Sequence, residues 1–153
     1  MRAVIQRVSR ATVSVEGEIV GKIGAGLLVY LAIGHDDNRE TLDWMVRKVS
    51  QLRVFEDAAG KMNRSLLEDP GLGAMVVSQF TLYGDMRKGS RPSFNDAAEP
   101  QKARADYQQF IESLSAVLNR PVASGQFAAD MQVDAINDGP VTILLLRESE
   151  AGG

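Results

Sequence analysis

Two short segments carry residue types suited to acyl-transfer chemistry. The first is Ser78-Gln79-Phe80-Thr81-Leu82, where the apolar run Ala74-Met75-Val76-Val77 gives way to hydroxyl and amide groups. Such a run reads as a buried strand, and beyond a strand's end the ladder no longer uses the backbone N–H groups. Several of these donors converging beside a hydroxyl make an oxyanion hole. Read as plain loop chemistry, Ser78, Gln79 and Thr81 only satisfy neighbouring backbone, and the residues alone leave the two readings balanced. The second segment is Asn137-Asp138-Gly139-Pro140-Val141-Thr142. Pro cannot donate to a ladder and Gly permits close backbone approach, which by itself describes an ordinary turn between strands.

The rest of the inventory narrows the chemistry. The 153 residues include no Cys and a single His, His35. Thiol catalysis, disulfides and zinc sites built from Cys or paired His are excluded. A His-based Ser triad would have to use His35, which sits beside a helix start where loop duty is the commoner role. Asp36, Asp37 and Glu40 have the chemistry to hold a divalent cation, but capping and the helix dipole explain them more simply. The Ser-x-x-Lys spacing is absent. Gly24 and Gly26 precede a strand rather than a helix and lack a Lys-Ser/Thr pair, so they are a poor phosphate loop. No metal and no cofactor is expected.

Seventeen Lys plus Arg against twenty Asp plus Glu give a net charge of −3, unlike a general nucleic-acid coater. The charge is uneven. Over residues 86–104, Arg87, Lys88, Arg91, Lys102 and Arg104 face only Asp96 and Glu99, a local +3. From 130 onward, five acids face Arg147 alone, a local −4. A localised phosphate contact is compatible with the basic stretch, although a mixed surface is the plainer reading.

The elements that must position these segments follow from periodicity. Met1, Ala3 and Ile5 alternate with Arg2, Val4 and Gln6, and residues 12–15 repeat the period, giving strand. Glu16-Gly17-Glu18 reads as a hairpin turn. Residues 27–33 form a seven-residue apolar run, a strand buried on both faces and far too short to span a bilayer. Asp37 with Glu40 predicts a capping box, and Leu42, Met45, Val46 and Val49 share one helical face, with Trp44 half-exposed beside it. Residues 53–55 predict a short strand and 57–60 a turn, and 73–80 a further strand. Residues 83–99 read as a long loop, and Pro100 opens a second helix with the stripe Ala103, Tyr107, Phe110, Ile111, Leu114, Val117 and Leu118. Residues 132–136 and 141–146 read as two strands. There is no repeat, no linker and no visible signal peptide. One mixed α/β domain, soluble and cytoplasmic, is expected.

Taken together, the Ser-Gln-Phe-Thr-Leu and Asn-x-Gly-Pro-Val-Thr segments closely resemble D-aminoacyl-tRNA deacylase, the D-tyrosyl-tRNA deacylase family. The opening Met1-Arg2-Ala3-Val4-Ile5-Gln6-Arg7-Val8 and Lys88-Gly89-Ser90-Arg91-Pro92-Ser93-Phe94 are similar to that family as well, in its order, from Met1 to about Arg147. The resemblance implies a single domain over 1–147 with a flexible tail at 148–153. It implies a mixed, mostly antiparallel sheet curling toward a barrel, two main helices packed on it, and a homodimer with sites at the subunit interface. Its activity would be hydrolysis of the ester joining a D-amino acid, or glycine, to the 3′-terminal adenosine of tRNA.

The same resemblance assigns roles. Gly139-Pro140 would be a cis pair inserted from one subunit into the other's pocket, excluding L side chains by rigid backbone. Backbone N–H groups around Gln79 and Phe80 would hold the oxyanion, with Ser78 and Thr81 lining the site and the tRNA 2′-OH assisting water. Thr81 as a covalent nucleophile is the rival, weakened by the lack of an evident base. Phe127 and Met131 suit an adenine pocket, though core packing describes them equally well. Arg7 would brace the Gly139-Pro140 turn, and Arg87, Lys88 and Arg91 would meet acceptor-stem phosphates. A non-catalytic dimer binding RNA ends, or an editing domain of different substrate preference, are the alternatives.

Overall fold

The computed structural model describes residues 1–149. Its frame is a long hairpin. β1 (Arg2–Val15) pairs antiparallel with β2 (Glu18–Ile23) across a turn in which Glu16 and Gly17 both have positive φ, at 50° and 80°. That is the mirror-image turn whose twist matches the strands it joins. β1 also pairs antiparallel with β3 (Gly26–Ala32). The pairs Ala11–Ile23, Val8–Gly26 and Arg2–Ala32 advance in one continuous register. β2 and β3 are therefore a single partner strand, bent at residues 24–25, and Gly24 and Gly26, a poor phosphate loop by sequence, mark this bend.

The bend curls the sheet. A small hairpin of β4 (Phe55–Glu56) and β5 (Met62–Arg64) stands apart, around the expected 57–60 turn; residues 53–54 lie outside the strand. β6 (Gly73–Ser78) runs parallel to β3, and β7 (Ala123–Ser124) parallel to β6. A Cβ on Gly21 of β2 would lie 2.4 Å from the Ser124 carbonyl oxygen of β7. The two ends of the sheet thus meet, and the sheet is nearly closed into a barrel.

β8 (Gln132–Leu146) pairs antiparallel along the other edge of β1. The two strands expected at 132–136 and 141–146 are one strand with a protrusion. Gln6 faces Thr142 but Val8 faces Asn137, so two steps on β1 match five on β8. Residues 138–141 are extruded from the ladder. The Gly139–Pro140 peptide within them is cis.

Alternation along the strands builds two cores. Leu27, Val29 and Leu31 face the helices together with Met1, Ala3 and Ile5, while Leu28 faces the barrel interior with Val8, Ala11, Val13, Met75 and Val77. β3 is thereby buried on both faces, as its unbroken apolar run requires. The helical side is covered by α1 (Arg39–Gln51) and α2 (Pro100–Leu118). α1 buries Leu42, Met45, Val46 and Val49; α2 begins with Pro at its first position and buries Tyr107, Phe110, Ile111, Leu114 and Leu118. Val117 falls off the buried stripe and is exposed. α2 ends on Asn119 in the left-handed conformation.

The cap of α1 differs from the sequence expectation. Asn38, not Asp37, is the N-cap, and it forms a reciprocal capping box with Thr41 instead of Glu40. Asp37 has been recruited elsewhere. One carboxylate oxygen accepts from the Met1 ammonium at 2.6 Å and the other from the Gly34 N–H at 2.7 Å. The pair is buried, so its satisfaction by a second hydrogen bond matters to its cost.

Residues 148–149 lie outside helix and strand, and 150–153 lie outside the described residues, so most of the tail expected at 148–153 falls there. No helix among the described residues is long and apolar enough to cross a membrane.

Candidate functional site

Three elements converge at the C-terminal end of the parallel β3–β6 pair. β6 ends at Ser78, and the chain turns through a short 3-10 segment, Phe80–Tyr83. α2 approaches through Pro100, Ala103 and Tyr107, and the segment 127–133 arrives from β7. They enclose a cleft of about 630 Å³ lined by Ser78, Gln79 and Phe80, with Phe94, Phe127 and Met131 among its other walls. Five candidate residues from the sequence, Ser78, Gln79, Phe80, Phe127 and Met131, thus share one cavity, although some fifty residues separate the two segments.

The backbone donors at this end differ from the expectation in one respect. The Gln79 N–H is engaged, donating to the Leu31 carbonyl at 2.8 Å as the last rung of the parallel ladder. The next donors are those of Phe80 and Thr81, the first two residues of the 3-10 turn. Leu82 N–H bonds back to the Gln79 carbonyl, but among the described residues the Phe80 and Thr81 N–H groups have no acceptor. Free N–H groups of this kind are the orphan donors of a helix start.

Side chains contribute little acid–base capacity. Among the described residues no Asp, Glu, His or Lys lines the cleft. Its ionisable group is Tyr107, whose hydroxyl donates to the Val76 carbonyl at 2.9 Å and is pushed up to about 12 chiefly by burial. Thr81 does not line the cleft; it is exposed, and its Oγ1 accepts from Gln79 Nε2. No base contacts that hydroxyl among the described residues. His35 lies outside the cavity as well, between Asp36 at 3.0 Å and Asp96 at 3.7 Å, which raise its pKa, the Asp36 hydrogen bond most.

The aromatic wall is held from behind. The Gly125 N–H donates to the same Val76 carbonyl that Tyr107 uses, at 3.1 Å. A Cβ on Gly125 would meet Met131 Sδ at 2.5 Å, so this glycine is what lets Met131 sit where it does. Phe127 packs on Tyr107 with ring centroids 5.6 Å apart. Sequence reading assigned Pro100, Ala103 and Tyr107 places on one helix; that the first turns of its apolar stripe line a cavity depends on the long-range approach of residues 127–133. Phe94, Ala97 and Ala98 were missed as well. The tie that brings them in, Ala98 N–H to the Ile33 carbonyl at 2.9 Å, spans 65 residues and leaves no local signal.

Gly139 and Pro140 do not line this cleft. They project from the extruded part of β8, both exposed. Arg7 fixes the base of the projection: Nε donates to the Asp138 carbonyl at 3.1 Å and Nη1 to the Val54 carbonyl at 2.7 Å. Asn137 closes it from the other side, its Oδ1 accepting from Val141 N–H at 3.1 Å and its Nδ2 donating to Thr142 Oγ1 at 3.0 Å. Gly139 has φ +134°, and a Cβ there would meet Val141 at 2.8 Å. Only Gly fits this backbone comfortably.

The basic candidates Arg87, Lys88 and Arg91 line a separate hollow of about 270 Å³ with Asp85 and Asp96. Arg87 is forked onto Asp85, with Nε and Nη2 donating at 3.0 and 2.8 Å, and this holds the Asp85 carboxyl down to about 2. Lys88 and Arg91 are exposed. Among the described residues no group of three or more His, Asp or Glu side chains could hold a metal ion.

Comparison with known proteins places this geometry in context. Residues 4–146 match the family model described as D-Tyr-tRNA(Tyr) deacylase. A D-aminoacyl-tRNA deacylase of Chloroherpeton thalassium is 53% identical over 145 residues, 95% of each chain. That of Thermomicrobium roseum is 54% identical over 153 residues, covering 100% of this chain and 98% of its own. Among solved structures, one described as c-Myc DNA Unwinding Element Binding Protein superposes with TM-score 0.90 at 42% identity, covering 97% of this chain and all of its own. A probable eukaryotic D-amino acid tRNA deacylase shares the fold, with TM-score 0.83 at 20% identity over 94% of this chain and 97% of its own.

Proposed function

Because the chain belongs to the D-Tyr-tRNA(Tyr) deacylase family, we propose that its cleft hydrolyses D-aminoacyl-tRNA by backbone catalysis and that a second subunit supplies the chirality filter. The activity itself, cleavage of the ester of a D-aminoacyl-tRNA, is that of its curated relatives. The observation that carries the mechanism is that, among the described residues, the Phe80 and Thr81 N–H groups at the edge of the cleft have no acceptor and no Asp, Glu, His or Lys lines its wall.

In the proposed reaction, the 3′-terminal adenosine lies against Phe127 and Met131, by stacking and sulfur contact. The ester carbonyl oxygen points at the Phe80 and Thr81 N–H groups. Water attacks the carbonyl carbon, and the oxyanion forms against these donors, each typically worth about 10²–10³ in rate. The intermediate collapses by breaking the bond to ribose O3′, which takes the proton that water gives up. The adjacent ribose 2′-OH positions that water and relays the proton, which a cleft without a base requires. Orientation in the pocket contributes several kcal/mol more. Ser78 lines the site, and Gln79 holds the Thr81 hydroxyl rather than the oxyanion. Thr81 contributes its backbone N–H, and its hydroxyl, outside the cleft wall and without a base, is not a nucleophile.

Gly139 and Pro140 act in the partner's cleft. Their main-chain carbonyls face the α-ammonium of the substrate and leave no space for an L side chain, while glycine, having no side chain, passes. Their outward projection away from their own cleft supports this reading, as does the exposed apolar edge of β8 at Ile136, Leu144 and Leu146, which suits a homodimer contact. Lys88 and Arg91 meet the acceptor-stem phosphates; Arg87, neutralised by Asp85, contributes less. The domain spans residues 1–147, and the enzyme works in the cytoplasm, where its substrate is found.

The test is deacylation of matched D-tyrosyl-, L-tyrosyl- and glycyl-tRNA by purified protein. The reading expects rapid loss of the D and glycyl esters with the L ester spared. Equal, slow loss of D and L esters would overturn it.

A further inference from the structure

Arg104 stands at the lip of the cleft. On α2, Pro100, Ala103 and Tyr107 face the cavity, and Arg104 follows Ala103 around the helix toward solvent. Its guanidinium carbon lies 4.9 Å from the centroid of the Phe127 ring, the aromatic wall of the cleft. Contact with an aromatic face steadies an exposed guanidinium while leaving its N–H edges free.

What distinguishes this cation is its place beside the aromatic wall, and among the described residues no carboxylate competes for it there. Its helix neighbours three and four residues away are Pro100, Gln101, Tyr107 and Gln108, none of them acidic. Lys102, the other base of α2, is occupied: its Nζ donates to the Asp37 carbonyl at 2.8 Å and to Asp106 at 2.6 Å. Among the described residues Arg104 has no carboxylate within 4 Å. Arg87, by contrast, is forked onto Asp85 in the separate hollow. A free, planar donor fork steadied beside an aromatic wall is suited to bidentate recognition of phosphate.

Resting on the reading that the cleft holds an adenosine against Phe127, we infer that Arg104 is the subsite for the 5′-phosphate of that nucleotide. A base against Phe127 has its 5′-phosphate one ribose away, within reach of a guanidinium that stands beside the same ring. The subsite would hold the phosphodiester joining the last two nucleotides of the acceptor end and fix the register in which the ester enters.

The experiment is calorimetric titration of the full-length protein with adenosine and with adenosine 5′-monophosphate, at low salt and at 200 mM salt. The wild-type protein should bind the monophosphate about tenfold or more tighter than the nucleoside, an advantage that shrinks with salt. Arg104→Gln should abolish that advantage and leave adenosine affinity within about twofold, and Arg104→Lys should retain part of it. Circular dichroism confirms folding of each variant. Equal weakening of both ligands would show that Arg104 merely supports Phe127 and would overturn the subsite, as would an unchanged preference in Arg104→Gln. Failure of the wild-type protein to bind adenosine would overturn the adenosine reading of the cleft, and this subsite with it.

Discussion

The Nε of Arg7 donates to the carbonyl oxygen of Asp138 at 3.1 Å, tying the middle of β1 to the residue that precedes Gly139. The same guanidinium donates to the Val54 carbonyl at 2.7 Å, and its side chain is only 12% exposed. Arg7 is thus the post on which the protruding segment is mounted. Arg7→Ala should cost about 1–3 kcal/mol, since it strands the Val54 carbonyl in a partly buried setting. Arg7→Lys keeps the charge but not the two-way fork, so it should recover more stability than selectivity. Urea denaturation beside D- and L-ester hydrolysis rates separates the two effects.

Phe80 allows the oxyanion donor to be removed without removing the fold. It occupies the first position of the 3-10 turn, where Pro is well accommodated, and Gln79 before it has φ −148° and ψ 77°, outside the helical region that Pro disfavours. Phe80→Pro should lower kcat about 10²–10³-fold relative to Phe80→Ala, which keeps the N–H. Thr81→Ala should stay within several-fold of wild type. Loss of all activity in Thr81→Ala with the fold intact would contradict backbone catalysis.

Gly125→Ala tests the aromatic wall. The new methyl would overlap Met131 Sδ, so Met131 must shift, at a cost of about 1–3 kcal/mol. The expected kinetic signature is a raised KM for D-tyrosyl-tRNA with a smaller change in kcat. A change in kcat alone would argue that Met131 does not bear on nucleotide binding.

His35 gives the account a pH dependence. Its backbone N–H donates to the Asp96 carbonyl, and its ring stands between the Asp36 and Asp96 carboxylates, beside the 94–98 wall of the cleft. Asp36 and Asp96 raise its pKa in the folded protein, so it binds a proton more tightly folded than unfolded. Its stabilising contribution is therefore fully present below the unfolded pKa and is lost as pH rises through the folded value. The melting temperature of wild type should exceed that of His35→Gln by more at pH 5.5 than at pH 8.5, and by a small amount because the ring is exposed.

Some of this was legible in the sequence and some was not. The unbroken run of β3 announced a strand buried on both faces, and Pro100 announced the start of α2, because both are local signals. Asp37 looked like a cap because nothing nearby shows that Met1, 36 residues away, claims its carboxylate. Gln79 looked like an oxyanion donor because the last rung of a parallel ladder is set by Leu31 on another strand. Residues 132–146 looked like two strands because only their partner β1 reveals that one ladder resumes beyond the protrusion. Both the cleft and the separation of Gly139-Pro140 from it are tertiary facts. Composition, with no Cys and one His, excluded thiol catalysis and zinc sites built from Cys or paired His, but it carried no sign of where backbone donors would stand free.

The central claim, that Gly139-Pro140 of one subunit serves the cleft of another, is tested most directly by mixing subunits. Gly139→Leu, whose side chain the positive φ and Val141 do not permit, should displace the carbonyls that hold the substrate's α-ammonium and so disable the partner cleft they serve, and Phe80→Pro should disable the cleft of its own subunit. Co-expressed and purified as a mixed population, the two variants should regain roughly a quarter of wild-type D-tyrosyl-tRNA deacylation, since half the two-fold dimers are mixed and each mixed dimer carries one intact site. Activity no higher than that of the separate variants would contradict a site shared between subunits.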